Sequence, residues 1–159
     1  MRVVRSLDQL AEAFERCQSE ATAAFGNGAM FLEEYIEQAR HIEVQVLADR
    51  HGSVVHLFER DCSVQQRHQK VIEYAPGVGM CDGLRSRLTS YALQLAKAAK
   101  YEGLGTVEFL VRGSLSDKDS LVAFMEMNPR IQVDRLDTSL TVEFVDVGPK
   151  PCLTILRFA

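Results

Sequence analysis

The sequence predicts an α+β fold in which a largely antiparallel sheet carries helices on one face. Three observations lead there. The segments run in the order helix, three strands, long loop, helix, two strands, tail. Neighbouring strands are close enough to be joined by hairpins, which makes their pairing antiparallel. Two segments have a helical apolar stripe that can pack on such a sheet.

Residues 6–24 read as an amphipathic helix. Ser6 can cap it, and Leu7, Leu10, Phe14, Cys17 and Ala21 recur at spacings of three and four. Gly26-Asn27-Gly28 stops it. Residues 30–36, MFLEEYI, form a short strand candidate with two carboxylates. Residues 41–48 alternate, with Ile42, Val44, Val46 and Ala48 on one side and His41, Glu43, Gln45 and Leu47 on the other. A turn over 49–53 leads to a strand over 54–60. Residues 61–82 read as irregular, broken by Pro76, Gly77 and Gly79. A helix is expected over 83–101, with Leu84, Leu88, Tyr91, Leu95 and Ala98 as its buried stripe. Gly103 and Gly105 end it. Strands are expected over 106–112 and 121–128, joined by the polar loop GSLSDKD. No internal repeat or low-complexity linker interrupts this order.

Of the 159 residues, 47% are hydrophobic and 25% charged, the balance of an ordinary globular chain. A net charge of -4 leaves no overall basic field to draw nucleic acid or an anionic membrane, so any anion site has to be local. No apolar run approaches the roughly 20 residues of a membrane span. The N-terminus lacks the apolar core of a signal peptide. A cytoplasmic location is the default expectation, with an organelle the alternative. The four cysteines lie far apart without a CxxC pair, which argues against zinc and for reduced thiols. Cys62, beside Arg60 and near His68, also reads as a candidate reactive thiol.

Two stretches carry chemistry. The first is CSVQQRHQKVIEYAP, residues 62–76, with Arg67, His68 and Lys70 among Gln65, Gln66 and Gln69. It reads either as a solvated loop or as a site for phosphate or carboxylate. The second is a set of carboxylates in apolar strands. Glu108 interrupts TVEFLVR, and Glu126 lies near the end of LVAFMEMN, with Asn128 on the same face. An unpaired buried carboxylate costs several kcal/mol. These residues therefore pair with Arg or Lys, lie on a solvated face, or serve as oxygen ligands for Mg2+ or Mn2+. Arg130 and Gln132 continue the same alternation.

The strings RHIEVQVLADRHGSVVHLFERDCSVQQRHQKVIEYAP, GTVEFL and FMEMNPRIQV, in this order, closely resemble the biotin carboxylase component of biotin-dependent carboxylases, members of the ATP-grasp superfamily. The resemblance covers residues 1–133. It implies a partial ATP-grasp fold, with 1–28 as the end of a lid lobe, 29–133 as the nucleotide- and metal-binding core, and 134–159 as a divergent tail. It implies ATP, Mg2+ or Mn2+, bicarbonate, and biotin on a carrier domain as ligands, and other carboxylase segments or a second copy as partners. Nucleic acid and membrane are not among them.

Carried over by motif, Glu33, Glu34 and Ile36 match a hinge strand that holds adenine, although the family often has Lys in place of Glu34. His41 matches a nucleotide-contacting histidine. Gln65, His68 and Lys70 match residues on the phosphate and ribose side. Glu108, Glu126 and Asn128 match metal ligands. Arg130, Gln132 and Val133 match the bicarbonate and biotin end. Asp134 stands where the family has a Glu resembling the general base, and its carboxylate is one methylene shorter. A displacement of about 1 Å can cost about 100-fold. The family's Gly-rich loop with its Lys and its later enolate-holding Arg have no counterpart in these residues, so the expectation is that the chain alone does not carboxylate biotin. Two further readings stand beside this one: a non-catalytic nucleotide- or protein-binding module, and a carbamoyl-phosphate synthetase-type ATP-grasp ligase.

Overall fold

The structure, a computed structural model, describes residues 2–67, 69–130, 140–145 and 152–157. The chain divides into two compact units, Met1–Gln38 and Ala39–Ala159. The lid lobe expected from the sequence ends earlier, at residue 28.

In the first unit a single 3-10 turn, Leu7–Gln9, leads into helix α1, Leu10–Phe25. Gly26 closes the helix with φ 70°, a left-handed cap that glycine adopts at little cost. The strand expected over 30–36 does not form. That segment is irregular, and Phe31, Leu32 and Tyr35 are exposed. The physical reason is pairing. A strand exists only as part of a ladder, and 30–36 pairs with none of the described strands.

That next strand is β1, Ala39–Ala48, the centre of the second unit. With β2 (Val54–Gln66), β3 (Gln69–Tyr74), β4 (Gly103–Arg112) and β5 (Leu121–Asn128) it forms a sheet of order β3-β2-β1-β4-β5. Every neighbouring pair is antiparallel. Strands β6 (Leu140–Val145) and β7 (Cys152–Arg157) pair with each other in a separate two-stranded sheet.

Helix α2, Asp82–Ala98, packs on one face of the five-stranded sheet. Its Leu84, Leu88, Ala92 and Ala96 meet Ile42, Val44 and Val46 of β1 and Val107, Phe109 and Val111 of β4, all essentially inaccessible to solvent. The stripe differs from the expected one. Tyr91 and Ala98 are exposed, and the small residues Ala92 and Ala96 take the buried positions. Gly105 of β4 is also needed for close approach, since a Cβ there would lie 2.7 Å from the Tyr101 hydroxyl.

Residues 61–82 are more ordered than their composition suggests. Strand β2 continues to Gln66 and turns back directly into β3, with Arg67 in the left-handed region at φ 51°. Gln65 and Lys70 thereby become cross-strand partners. Beside this hairpin, Arg40 binds the buried Asp61 through Nη2 at 2.6 Å and Nε at 3.2 Å, while Ser63 donates from its backbone N–H and hydroxyl.

Burial raises the Asp61 pKa, but the Ser63 and Arg40 hydrogen bonds outweigh it and hold the carboxyl below its usual value. A depressed folded-state pKa adds stability that is present above the unfolded value, about 3.9, and is lost as pH falls through the folded one. Asp61→Asn should therefore be less stable than the native chain at pH 7. Below about pH 4 the difference should shrink, as read from urea unfolding across pH.

Candidate functional site

The sheet face opposite α2 is polar, and two β-bulges decide what stands on it. Between β1 and β2, Val46 pairs with His56 but Val44 pairs with Glu59, so one extra β2 residue is accommodated near Leu57–Phe58. Phe58 sits at φ 63°. Without the bulge, Glu59 would stand opposite Glu43, like charge against like charge. With it, Arg60 takes that position, and Glu59 turns to the helical side, where Arg85 and the Gly77 N–H bind it at 2.9 and 3.2 Å.

The second bulge lies in β5. Phe109 pairs with Phe124, yet Glu108 pairs with Glu126, so Met125 is the extra residue. An unbulged strand would place Glu126 opposite Val107, on the apolar side. The bulge instead brings Glu126 and Asn128 onto the face of Glu108, the re-aiming of side chains for which bulges are used. Glu43 pairs with Glu108 across β1 and β4. Three carboxylates, Glu43, Glu108 and Glu126, thus stand abreast on three adjacent strands.

Their gaps are filled in sequence. Between the first two lies the Lys70 ammonium, bonded to Glu43 Oε1 and 3.7 Å from Glu108 Oε1. Between the second two lies the Asn128 amide, donating to Glu108 Oε1 at 2.7 Å and to Glu126 Oε1 at 2.8 Å. Glu43 is fully buried and also accepts from Arg60 Nη2 at 2.8 Å. Arg60 in turn binds Glu73 at 3.0 Å. His41 Nε2 lies 2.6 Å from Glu108 Oε2, and Gln65 Nε2 donates to His41 Nδ1 at 2.8 Å. Because the Gln65 amide nitrogen can only donate, Nδ1 accepts and the ring proton sits on Nε2, directed at Glu108.

Burial raises the pKa of Glu108, but the His41 hydrogen bond and the Lys70 charge outweigh it, so the carboxyl stays ionised below the usual range. For Lys70, burial pulls the pKa down, and the bond and charge of Glu43 more than restore it. The site therefore holds fixed opposite charges around a donor set made of oxygens. His41, Glu43 and Glu108 each offer one ligand atom within 4.8 Å of one another. Lys70 and Arg60 already balance its two carboxylates. The Glu108–Glu126 gap is different, since what spans it is a neutral amide. Turned half a revolution, the amide presents Oδ1, and three oxygens then converge, a set suited to a hard divalent cation.

The structure thus brings together His41, Gln65, Lys70, Glu108, Glu126 and Asn128. Arg130 is exposed just past β5. Glu33 and Glu34 are exposed and Ile36 half-buried in the irregular part of the first unit. His68, Gln132, Val133 and Asp134 lie outside the described residues. Reading from sequence passed over Glu43, Arg60 and Glu73 as site residues. A usable signal was present, because His41, Glu43 and Gln45 share the polar side of β1.

Cys62 is corrected. It is fully buried, and burial together with the Glu43 and Glu73 carboxylates pushes its thiol pKa far up, the opposite of what a nucleophile needs. Iodoacetamide should leave Cys62 unmodified in the folded chain and label it only in denaturant, as read by peptide mass spectrometry. Alkylation at equal rates in both states would contradict the burial.

Among the described residues no helix is long and apolar enough to cross a membrane. The sheet and its carboxylate face define the class of protein: residues 1–142 match the family model "Carbamoyl-phosphate synthase L chain, ATP binding domain". The chain is 53% identical over 147 residues to the mitochondrial pyruvate carboxylase of Rattus norvegicus, covering 92% of this chain and 12% of that protein. Two solved structures are similar throughout 84% of the chain. One is a Campylobacter jejuni biotin carboxylase in complex with β,γ-ATP, at 49% identity and TM-score 0.76, of which 29% is covered. The other is the biotin carboxylase domain dimer of Hydrogenobacter thermophilus 2-oxoglutarate carboxylase, with MgADP, ADP and bicarbonate, at 42% identity and TM-score 0.73, with 28% covered. The chain belongs to the biotin carboxylase family of ATP-grasp proteins. It spans only 12% of the length of the pyruvate carboxylase it matches.

Proposed function

We propose that this chain supplies the divalent-cation and nucleotide-phosphate portion of a biotin carboxylase. The reaction is the one the family resemblance implies. Bicarbonate attacks the γ-phosphorus of ATP, ADP leaves, and the carboxyl group of the resulting carboxyphosphate passes to N1 of biotin on a carrier domain, while the phosphate released takes up the N1 proton. The observation that carries the reading is the bulged register of β4 and β5, which sets Glu108 opposite Glu126 with Asn128 between them.

On this reading Glu108, Glu126 and Asn128 hold Mg2+ or Mn2+. The cation would neutralise charge on the ATP phosphates. Lys70 lies on the same face and supplies a fixed positive charge for phosphate or bicarbonate. His41 orients Glu108 through Nε2–H, and Gln65 fixes the ring that does so. Glu33, Glu34 and Ile36 are proposed to line the adenine through backbone groups, and His68 to join the phosphate side. Arg130, Gln132 and Val133 are proposed as donors to bicarbonate and biotin, and Asp134 as the base that takes the bicarbonate proton. Proposed partners are a biotin-carrier domain and further carboxylase segments or a second copy. The proposed compartment is the cytosol, or the mitochondrion by analogy with the mitochondrial pyruvate carboxylase of the rat.

Isothermal titration with ADP tests the reading. Binding should strengthen when Mg2+ is present and lose that dependence in Glu108→Gln. ADP binding indifferent to Mg2+ in the native chain would overturn it. ATP hydrolysis that requires bicarbonate would separate a catalytic chain from a non-catalytic nucleotide-binding module.

A further inference from the structure

We propose that Glu43 is a positioning residue that holds the Lys70 ammonium away from the Glu108–Glu126 gap, so that a divalent cation can enter the gap while Lys70 stays beside it. The inference rests on the cation reading given above and adds a role that reading does not contain.

The row of three carboxylates poses the problem. Glu108 is shared: Lys70 stands on its Glu43 side and Asn128 on its Glu126 side, and both reach the same oxygen, Oε1. An ammonium that moved fully onto Glu108 would occupy the oxygen a cation needs and would place a like charge against it. Glu43 prevents this by taking the Lys70 bond itself, leaving Nζ 3.7 Å from Glu108. Glu43 is in turn held. It is fully buried, its Oε2 accepts from Arg60 at 2.8 Å, and Arg60 is tied at its other end to Glu73 at 3.0 Å. Arg60, gripped by two carboxylates, cannot follow a change at Glu108. Lys70, on a flexible stem at the β3 edge, can. The β1–β2 bulge that sets Arg60 opposite Glu43 is therefore part of the same device.

The test is Mn2+ alone, titrated into the full chain and followed by the electron paramagnetic resonance signal of free Mn2+. Glu43→Gln should bind Mn2+ at least about tenfold more weakly than the native chain, the lower end of the effect of outer-shell partners. The double variant Glu43→Gln/Lys70→Met should recover affinity to within about threefold of Lys70→Met alone. A merely structural loss at Glu43 would not be repaired by removing Lys70. Native-like affinity in Glu43→Gln, or weak binding that persists in the double variant, overturns the role of Glu43 and leaves the cation site standing. No Mn2+ binding by the native chain overturns both. Circular dichroism reports whether Glu43→Gln folds. If it does not, Lys70→Met decides: affinity equal to or tighter than native supports the proposal, and weaker affinity overturns it.

Discussion

Glu126→Gln should weaken Mn2+ binding, measured in the presence of ADP, by about 10- to 100-fold or more. That range is typical of outer-shell partners, and a direct carboxylate ligand should cost no less. The variant is a clean probe because Glu126 is exposed near the end of β5, so its charge is not needed to balance the interior. Gln keeps an oxygen for the Asn128 amide, which now donates at 2.8 Å. What it removes is the second negative charge of the gap. Glu108 remains, with its His41 and Lys70 contacts, so residual weak binding is expected rather than none. Unchanged affinity would mean that the facing carboxylates are a feature of the sheet and not a cation site.

Phe109→Ala should destabilise the fold by about 3–5 kcal/mol, the usual cost of truncating a buried aromatic. Phe109 is among the largest fully buried side chains and lies between the sheet and α2. Its ring meets Phe124 edge to face, with centroids 6.4 Å apart. Phe124 is half exposed, so Phe124→Ala should cost much less, chiefly the pair contact of about 0.5–1.5 kcal/mol and some area. Urea unfolding of the two variants gives the comparison. The result also bears on the site, because Phe109 is the residue after Glu108 and marks where the β5 bulge begins. Equal, small losses in both variants would show that the α2 face is not the core.

Particular residues show how far the sequence alone is readable. Alternation in 41–48 and the apolar runs around Glu108 and Glu126 were legible because successive side chains of a strand point to opposite faces. Glu108 and Glu126 stood out because a carboxylate in an apolar strand demands a partner. The placement of Arg60 was not legible, since simple alternation continued through Leu57 and Phe58 puts Glu59 opposite Glu43. One inserted residue exchanges the two, and nothing local in VVHLFER announces it. Segment 30–36 looked like a strand for the opposite reason. Its composition suits one, but composition does not supply a ladder partner, and 30–36 pairs with none of the described strands. In α2 the spacing identified the helix but misplaced part of its stripe, because close approach to the sheet selects Ala92 and Ala96 over the bulkier Tyr91.

Crystals grown with Mn2+ and ADP, measured at the manganese absorption edge, test the central claim directly. An anomalous peak should stand between the Glu108 and Glu126 carboxylates, within coordination distance of both, with Asn128 turned to present its oxygen and Lys70 still on Glu43. A peak confined to other residues, or no peak although ADP is bound, would contradict it.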